Sequence, residues 1–194
     1  MTDIRTRVRE DYTNILEKSM QSQSEHPSGT EDISKSVGYS EEELEVVPPE
    51  ANLGLGCGNP LPGAQLKEGE VVVDLGSGAG LDCFLAGVKV GRRGRVIGVD
   101  MTAEMISTSR QTAKKHKIRN VEFRLGEIEN LPVANDYADV CMSNCVINLS
   151  QKKGRVYQEI FRILKPGGRI SISDIVVMRK LPQDILDDPD MHSC

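Results

Sequence analysis

The run Val71-Val-Val-Asp-Leu75 leads directly into Gly76-Ser-Gly78-Ala-Gly80, and these ten residues are the strongest indication of the fold in the sequence. A continuous apolar run is typical of a parallel strand that is buried on both faces. The glycines let the chain turn tightly and approach a ligand closely, where a side chain would collide. Apolar residues then recur at helical spacing from Leu81 to Val88. The sequence therefore predicts a strand, a ligand-binding turn and a helix.

Four further strands follow this unit in alternation with helices. We predict them over Arg95–Asp100, Val121–Leu125, Ala138–Ser143 and Arg169–Val177. Thr102 and Ser150 are predicted to cap two of the helices, and Lys165-Pro-Gly-Gly168 to end the last one. Strands that alternate with helices form crossover units, which favours an α/β fold with a mostly parallel sheet.

The first 65 residues have a different pattern and are predicted to form an N-terminal helical cap. An amphipathic helix over residues 3–19 is expected to act as a mobile lid, with Tyr12 over a ligand pocket. The polar stretch Met20–Thr30 predicts a loop. Ser40 and Glu43 have capping-box spacing before a short helix that Pro48-Pro49 ends. We therefore divide the chain into a cap, residues 1–65, and a ligand-binding domain, residues 66–194.

Composition and charge exclude several classes of function. The net charge is −5 and the pI about 5.3, which argues against nucleic-acid binding. The basic residues between Arg110 and Arg119 are interpreted as a solvated helix face. No apolar run approaches the roughly 18 residues of a membrane span, and no signal peptide opens the sequence. We expect a soluble, cytoplasmic protein without a membrane partner.

The spacing of the glycines indicates which nucleotide the turn accepts. Dinucleotide-binding proteins use G-x-G-x-x-G to place a pyrophosphate on the helix N-terminus. Here the spacing is G-x-G-x-G, Asp74 precedes the loop, and Asp100 closes the next strand. With Leu164-Lys-Pro-Gly-Gly168, this pattern resembles the Rossmann-like class I S-adenosylmethionine-dependent methyltransferases over residues 70–177.

That resemblance implies a set of cofactor-binding residues. Asp74 is expected to orient the methionine ammonium, and Asp100 to accept hydrogen bonds from both ribose hydroxyls. Met101 is expected against the adenine face, with Glu127 or a neighbouring backbone group at its amine. The full set is Asp74, Gly76, Ser77, Gly78, Gly80, Asp100, Met101, Thr102, Gly126, Glu127, Ile128 and Asn144.

The chain has five cysteines, at positions 57, 83, 141, 145 and 194. An odd count without an export signal predicts thiols rather than a disulfide framework, and the absence of a CxxC pair argues against structural zinc. Cys83 and Cys141 are interpreted as small buried apolar side chains. His26, His116 and His192 lack catalytic partners in the sequence and are predicted to lie on the surface.

Two cysteine motifs indicate a narrower family. Asn52-Leu-Gly-Leu-Gly-Cys57-Gly-Asn-Pro60 and Ser143-Asn-Cys145-Val-Ile-Asn-Leu-Ser150, with Asp100-Met-Thr102 and Val121–Glu127, resemble the arsenite methyltransferases from Gly38 onwards. The resemblance implies that Cys57 and Cys145 bind trivalent arsenic and that Cys194 is a third thiol. It implies arsenite or its thiol conjugate as substrate, S-adenosylmethionine as cofactor and a thiol reductant as partner.

The sequence departs from that family in two respects, and two alternatives stay open. Residues 1–50 contain no cysteine, and the sheet is expected to be truncated after the fifth strand of a seven-strand family fold. We expect the resulting strand edge to be covered by a partner chain, by residues 181–194 or by altered pairing. The alternatives are a carbon- or oxygen-methylating enzyme, and a module that binds cofactor or arsenic without turnover.

Overall fold

The computed structural model describes residues 4–21 and 29–178. The described N-terminal residues form four α-helices and a short 3-10 helix at Pro49–Ala51. The α-helices are α1 (Ile4–Gln21), α2 (Thr30–Ser36), α3 (Glu41–Glu45) and α4 (Leu61–Ala64). The Ser40 hydroxyl accepts the Glu43 N–H and the Glu43 carboxylate accepts the Ser40 N–H, which confirms the capping box. Helix α2 was not predicted, and residue 30, expected to end a loop, begins it. Residues 22–28 of that loop lie outside the described residues.

Strands and helices alternate from residue 71 onwards. In chain order they are β1 (Val71–Leu75), α5 (Leu81–Val90), β2 (Arg95–Asp100), α6 (Ala103–Lys115), β3 (Val121–Leu125), β4 (Ala138–Asn144), α7 (Lys153–Ile163) and β5 (Leu164–Ser173). The five strands form one parallel sheet in the order β3-β2-β1-β4-β5. The predicted α/β class and parallel sheet are confirmed. No helix among the described residues is long and apolar enough to cross a membrane.

The sheet separates two apolar cores. Val72 packs with α5 and α6 on one face, while Val73 packs with α7 on the other, and neither side chain is exposed. This burial on both faces explains the uninterrupted apolar run of β1. Leu75, at the carboxyl end of β1, pairs with Val99 of β2 and with Ser143 of β4. The strand order reverses between β1 and β4, so a ligand crevice is expected at this end of the sheet.

The fifth strand differs from the prediction at both ends. It begins at Leu164 rather than Arg169, because residues 165–168 bulge between the pairs Ala138–Leu164 and Val140–Arg169. It ends at Ser173 rather than Val177, where the Asp174 carboxylate accepts the N–H groups of Asn148 and Ile175. The proposed cover of this edge by residues 181–194 lies outside the described residues and stays a prediction.

Two predicted helix caps are also corrected. Thr102 occupies the N-cap position of α6, but its side chain accepts no helix N–H. Helix α7 begins two residues later than expected, with Lys152 at its N-cap. The Ser150 hydroxyl accepts the Lys152 N–H and donates to Glu129 instead, so it orders the entry to the helix without capping it.

Candidate active site

The glycine loop connects β1 to α5 in a left-handed backbone conformation. Gly76, Gly78 and Gly80 have φ values of 69°, 51° and 104°. A Cβ on Gly76 would lie 2.5 Å from Cγ2 of Val146, and one on Gly80 would lie 2.7 Å from Cζ of Phe123. A Cβ on Gly78 would meet nothing within 4 Å. Gly76 and Gly80 are therefore required by packing, whereas Gly78 borders open space.

A pocket of about 1120 Å³, counting its opening to solvent, lies over this loop. Acidic side chains line it, and none of the described residues in its wall is basic: the carboxylates are Asp74, Asp82, Asp100 and Glu129. Burial raises the pKa of the Asp74 carboxyl, and the charge of Asp82 raises it further. Burial also raises the pKa of Asp100. A cationic ligand suits such a wall, whereas a pyrophosphate would be repelled by it.

Backbone groups hold the Asp100 carboxylate in place. Its Oδ2 accepts the Gly78 N–H at 2.9 Å, and its Oδ1 accepts the Thr102 N–H at 2.8 Å. Asp74, one strand away, accepts the Cys83 S–H at 3.2 Å and is 2% exposed. The Ser77 hydroxyl is buried in the same wall and has no hydrogen-bond partner among the described residues. The loop thus presents fixed acceptors and one unpaired hydroxyl.

The cap supplies the other wall of the pocket. Val8 and Tyr12 of α1 line it together with Leu53 and Leu55, which precede Cys57. Leu16, 3% exposed, packs in the same apolar cluster as Ala79 and Met105. Helix α1 therefore lies against the glycine-loop side of the domain, with Tyr12 at the pocket as predicted. Its mobility stays a prediction.

Cys57 lies next to Cys145, which lines this pocket, although the two positions are 88 apart in the chain. Their Cα atoms are 5.8 Å apart and the structure joins them as a disulfide. The sequence predicted thiols, so this expectation is wrong for these two residues. Cys145 follows β4 in a left-handed conformation (φ 53°), and its N–H donates to the Ser173 carbonyl at 2.8 Å.

The positions on either side of Cys57 have no room for a side chain, which explains why both are glycine. A Cβ on Gly56 would lie 2.7 Å from Nδ2 of Asn144, and a Cβ on Gly58 would overlap the Ser173 hydroxyl. Both contacts join the cap to the ends of β4 and β5. The Gly-Cys-Gly sequence therefore lets the Cys57 loop approach Cys145 closely.

A model of the family described as "Methyltransferase domain" matches residues 66–194. The chain belongs to this family. Its five-strand parallel sheet also agrees with solved structures of S-adenosylmethionine-dependent methyltransferases. One is an arsenic (III) S-adenosylmethionine methyltransferase from Chlamydomonas reinhardtii, with 36% identity and a TM-score of 0.64 over 82% of this chain and 54% of that one.

Curated relatives confirm the narrower resemblance. The chain is 53% identical over 157 residues to an arsenite methyltransferase of Halobacterium salinarum, covering 81% of this chain and 40% of that protein. It is 38% identical over 139 residues to the human arsenite methyltransferase, covering 67% of this chain and 36% of that protein. The chain thus spans about two fifths of the length of these relatives.

Most of the predicted cofactor residues lie in the pocket wall. They are Asp74, Gly76, Ser77, Gly78, Gly80, Asp100, Met101, Thr102, Gly126, Ile128 and Asn144. Glu127 is not among the lining residues, whereas Glu129 is, because residues 127 and 130 pair in a tight turn after β3. Cys194, the predicted third thiol, lies outside the described residues.

The other described cysteines and the one described histidine lie away from the Cys57–Cys145 pair. Cys83 and Cys141 are free and buried, as predicted, and burial raises the pKa of both thiols. Cys83 is more than an apolar filler, because its thiol donates to Asp74. His116 is partly exposed and pairs with Glu50. His26 and His192 lie outside the described residues.

The residues of the site that were not predicted from the sequence include Tyr39, Asp82, Glu129 and Val146. Asp82 is the second residue of α5, where an acidic side chain is usually explained by the helix dipole. Its signal was its place in an otherwise apolar helix of which most residues are buried. Tyr39 carried no local signal, since its partners are distant in the chain.

Proposed function

We propose that this chain transfers a methyl group from S-adenosylmethionine to trivalent arsenic bound by Cys57 and Cys145. The observation that carries the proposal is the pairing of Cys57 with Cys145, because Cys145 lines the pocket that the glycine loop borders. The arsenite methyltransferase relatives support the same substrate.

The pocket fits S-adenosylmethionine on its own chemistry. The cofactor carries a sulfonium and an ammonium, and the described residues of the pocket wall include four carboxylates and no basic side chain. Open space faces Gly78, and the buried Ser77 hydroxyl is free to bond a ligand. These features favour a positively charged nucleoside over NAD, whose pyrophosphate would meet no basic side chain among the described residues of the wall.

The cofactor would be held by residues of the loop and of the neighbouring strand ends. Asp100 would accept hydrogen bonds from the ribose hydroxyls, since backbone N–H groups already fix its carboxylate. Asp74 would face the ammonium, and Gly126, Ile128 and Met101 would border the adenine. When bound, S-adenosylmethionine supplies an electrophilic methyl group on its sulfonium.

Methyl transfer to trivalent arsenic requires thiolate ligands for the arsenic rather than a general base. Trivalent arsenic is thiophilic and keeps a lone pair when thiolates hold it, so no side chain has to remove a proton from the attacking atom. The protein contributes two sulfur ligands, their orientation and an apolar wall that limits water. Cys194 is proposed as a third ligand.

A thiol reductant is part of this proposal. Because Cys57 and Cys145 form a disulfide, two reducing equivalents must open it before arsenic binds. A dithiol or two monothiols would supply them and leave as a disulfide. The reduced pair then displaces two hydroxides from arsenite as water.

The experiment that tests the function is a methylation assay of the 194-residue chain with arsenite, a thiol reductant and methyl-labelled S-adenosylmethionine. We expect labelled methylarsenic from the wild type and none from Cys57→Ser or Cys145→Ser. Cys83→Ser is the matched control, since serine keeps a donor for Asp74. Binding of both ligands without labelled product would favour the module without turnover. Activity that survives both serine variants would contradict the arsenic site.

A further inference from the structure

Three side chains from distant parts of the chain meet in a buried cluster beside Cys57. The Tyr39 hydroxyl donates to Oδ1 of Asp82 at 2.6 Å. Nδ2 of Asn144 lies 2.9 Å from the Tyr39 hydroxyl and 3.1 Å from Oδ2 of Asp82. Tyr39 is 4% exposed and Asp82 8%, so the bond between them is shielded from water, while Asn144 is half-buried. The strength of the bond between Tyr39 and Asp82 therefore exceeds that of a similar bond on the surface.

Asn144 is also bonded to the Cys57 loop through both ends of its amide. Its Oδ1 accepts the Cys57 N–H at 3.3 Å, and its Nδ2 donates to the Gly58 carbonyl at 2.7 Å. In the chain Asn144 directly precedes Cys145. One side chain therefore connects the backbone around the first sulfur atom to the residue that carries the second.

The carboxylate of Asp82 determines which way this amide points. An ionised carboxylate only accepts hydrogen bonds, so it attracts the NH₂ end of Asn144 and repels the oxygen end. The Tyr39 hydroxyl donates its proton to Asp82 and is left to accept from Asn144. With Nδ2 held on this side, Oδ1 faces the Cys57 N–H.

We propose that Asn144 is a positioning residue that sets the spacing of the Cys57 and Cys145 sulfur atoms, with Tyr39 and Asp82 orienting its amide. This role rests on the proposed function, in which both sulfur atoms bind one arsenic. A ligand that bridges two thiols gains affinity when the thiols are already at the right separation. A reagent that reacts with one thiol gains nothing from that separation.

The test compares a two-thiol reagent with a one-thiol reagent on the reduced protein. Phenylarsine oxide bridges two neighbouring thiols, and N-ethylmaleimide alkylates one. We expect Asn144→Ala to weaken phenylarsine oxide binding by about 10- to 100-fold, as for residues that orient metal ligands. The rate of maleimide addition at Cys57 and Cys145, followed by peptide mass spectrometry, should change by less than about threefold.

Tyr39→Phe provides a second variant that removes only a hydroxyl from a buried ring. It should weaken phenylarsine oxide binding in the same direction, by about tenfold or less. Tyr157→Phe on the exposed part of α7 and Asp136→Asn in an exposed turn are the matched controls, and both should bind like the wild type.

Two results would overturn the inference. One is phenylarsine oxide affinity within about twofold of wild type in both Asn144→Ala and Tyr39→Phe. The other is an equal loss with both reagents, which indicates general disruption. The methylation assay separates this inference from the function: tight phenylarsine oxide binding by the wild type without methylarsenic would remove the function and leave the positioning role.

Discussion

Replacing Gly78 by alanine should remove cofactor binding while leaving the fold nearly intact. Gly78 lines the pocket at φ 51°, and a Cβ there would meet no protein atom within 4 Å. The protein therefore bears only the cost of a left-handed alanine, about 1–2 kcal/mol. For a chain of this size that cost lowers the melting temperature by about 2–8 °C. The added methyl group instead fills space that the cofactor would occupy.

Gly69→Ala is a matched control for this substitution. Gly69 also has a positive φ, 89°, and open space at its Cβ, but it lies in the turn before β1 and not in the pocket wall. Both variants should lose similar stability. Gly80→Ala should lose more, about 2–5 kcal/mol, because its Cβ would press on the buried rings of Phe84 and Phe123.

The assay is thermal unfolding with and without S-adenosylhomocysteine. A ligand at about 100 times its dissociation constant stabilises a protein by about 2.7 kcal/mol, a rise of about 5–10 °C here. We expect this rise in the wild type and in Gly69→Ala, and none in Gly78→Ala. A full ligand-induced rise in Gly78→Ala would refute the placement of the cofactor at this loop.

Three further outcomes are expected. Gly58→Ala should slow the formation of the Cys57–Cys145 disulfide in the reduced protein, because the new Cβ would overlap the Ser173 hydroxyl. Adding Ser173→Gly should restore the rate, and no recovery in this double variant would contradict the explanation. Burial raises the pKa of Asp82 to about 6, so protonated Asp82 favours the fold at low pH and this stability is lost as pH rises from about 4 through 6. The free energy of unfolding of Asp82→Asn relative to wild type, measured with denaturant, should therefore be up to about 3 kcal/mol more favourable at pH 8 than at pH 4, and an equal difference at both values would argue against the shift. Amide hydrogen exchange in α1 should slow when S-adenosylhomocysteine binds, since Val8 and Tyr12 line the pocket, and unchanged exchange would count against a lid.

The central strands were predictable because burial on both faces leaves a direct mark on the sequence. Val71–Leu75 and Arg95–Asp100 were predicted to the residue, since each is a short apolar run next to turn-forming residues. The fifth strand was less predictable. Its bulge at residues 165–168 depends on pairing with β4, and its end depends on bonds from Asp174 to distant backbone.

The candidate site also has a part that could be predicted from the sequence and a part that could not. Its glycine loop and Asp100 are local in sequence, so their spacing was enough to predict a nucleotide pocket. The meeting of Cys57 with Cys145 came from family resemblance, because no local pattern relates positions 88 residues apart. The contacts of Tyr39 with Asp82 and Asn144 also join distant residues, and their residue types fit ordinary surface positions equally well.

The link between Cys57 and Cys145 closes a loop over most of the ligand-binding half of the chain. A cross-link across a sequence separation of 88 residues removes conformational freedom from the unfolded chain worth about 4.6 kcal/mol in the loop-entropy model. The reduced protein, which is the form that would accept arsenic in the proposed function, is then the less stable one. If arsenic binds both sulfur atoms as proposed, it would close the same loop again and act as a reversible cross-link between cap and sheet. The stability of the protein against unfolding would then indicate whether arsenic occupies the site, even before methyl transfer takes place.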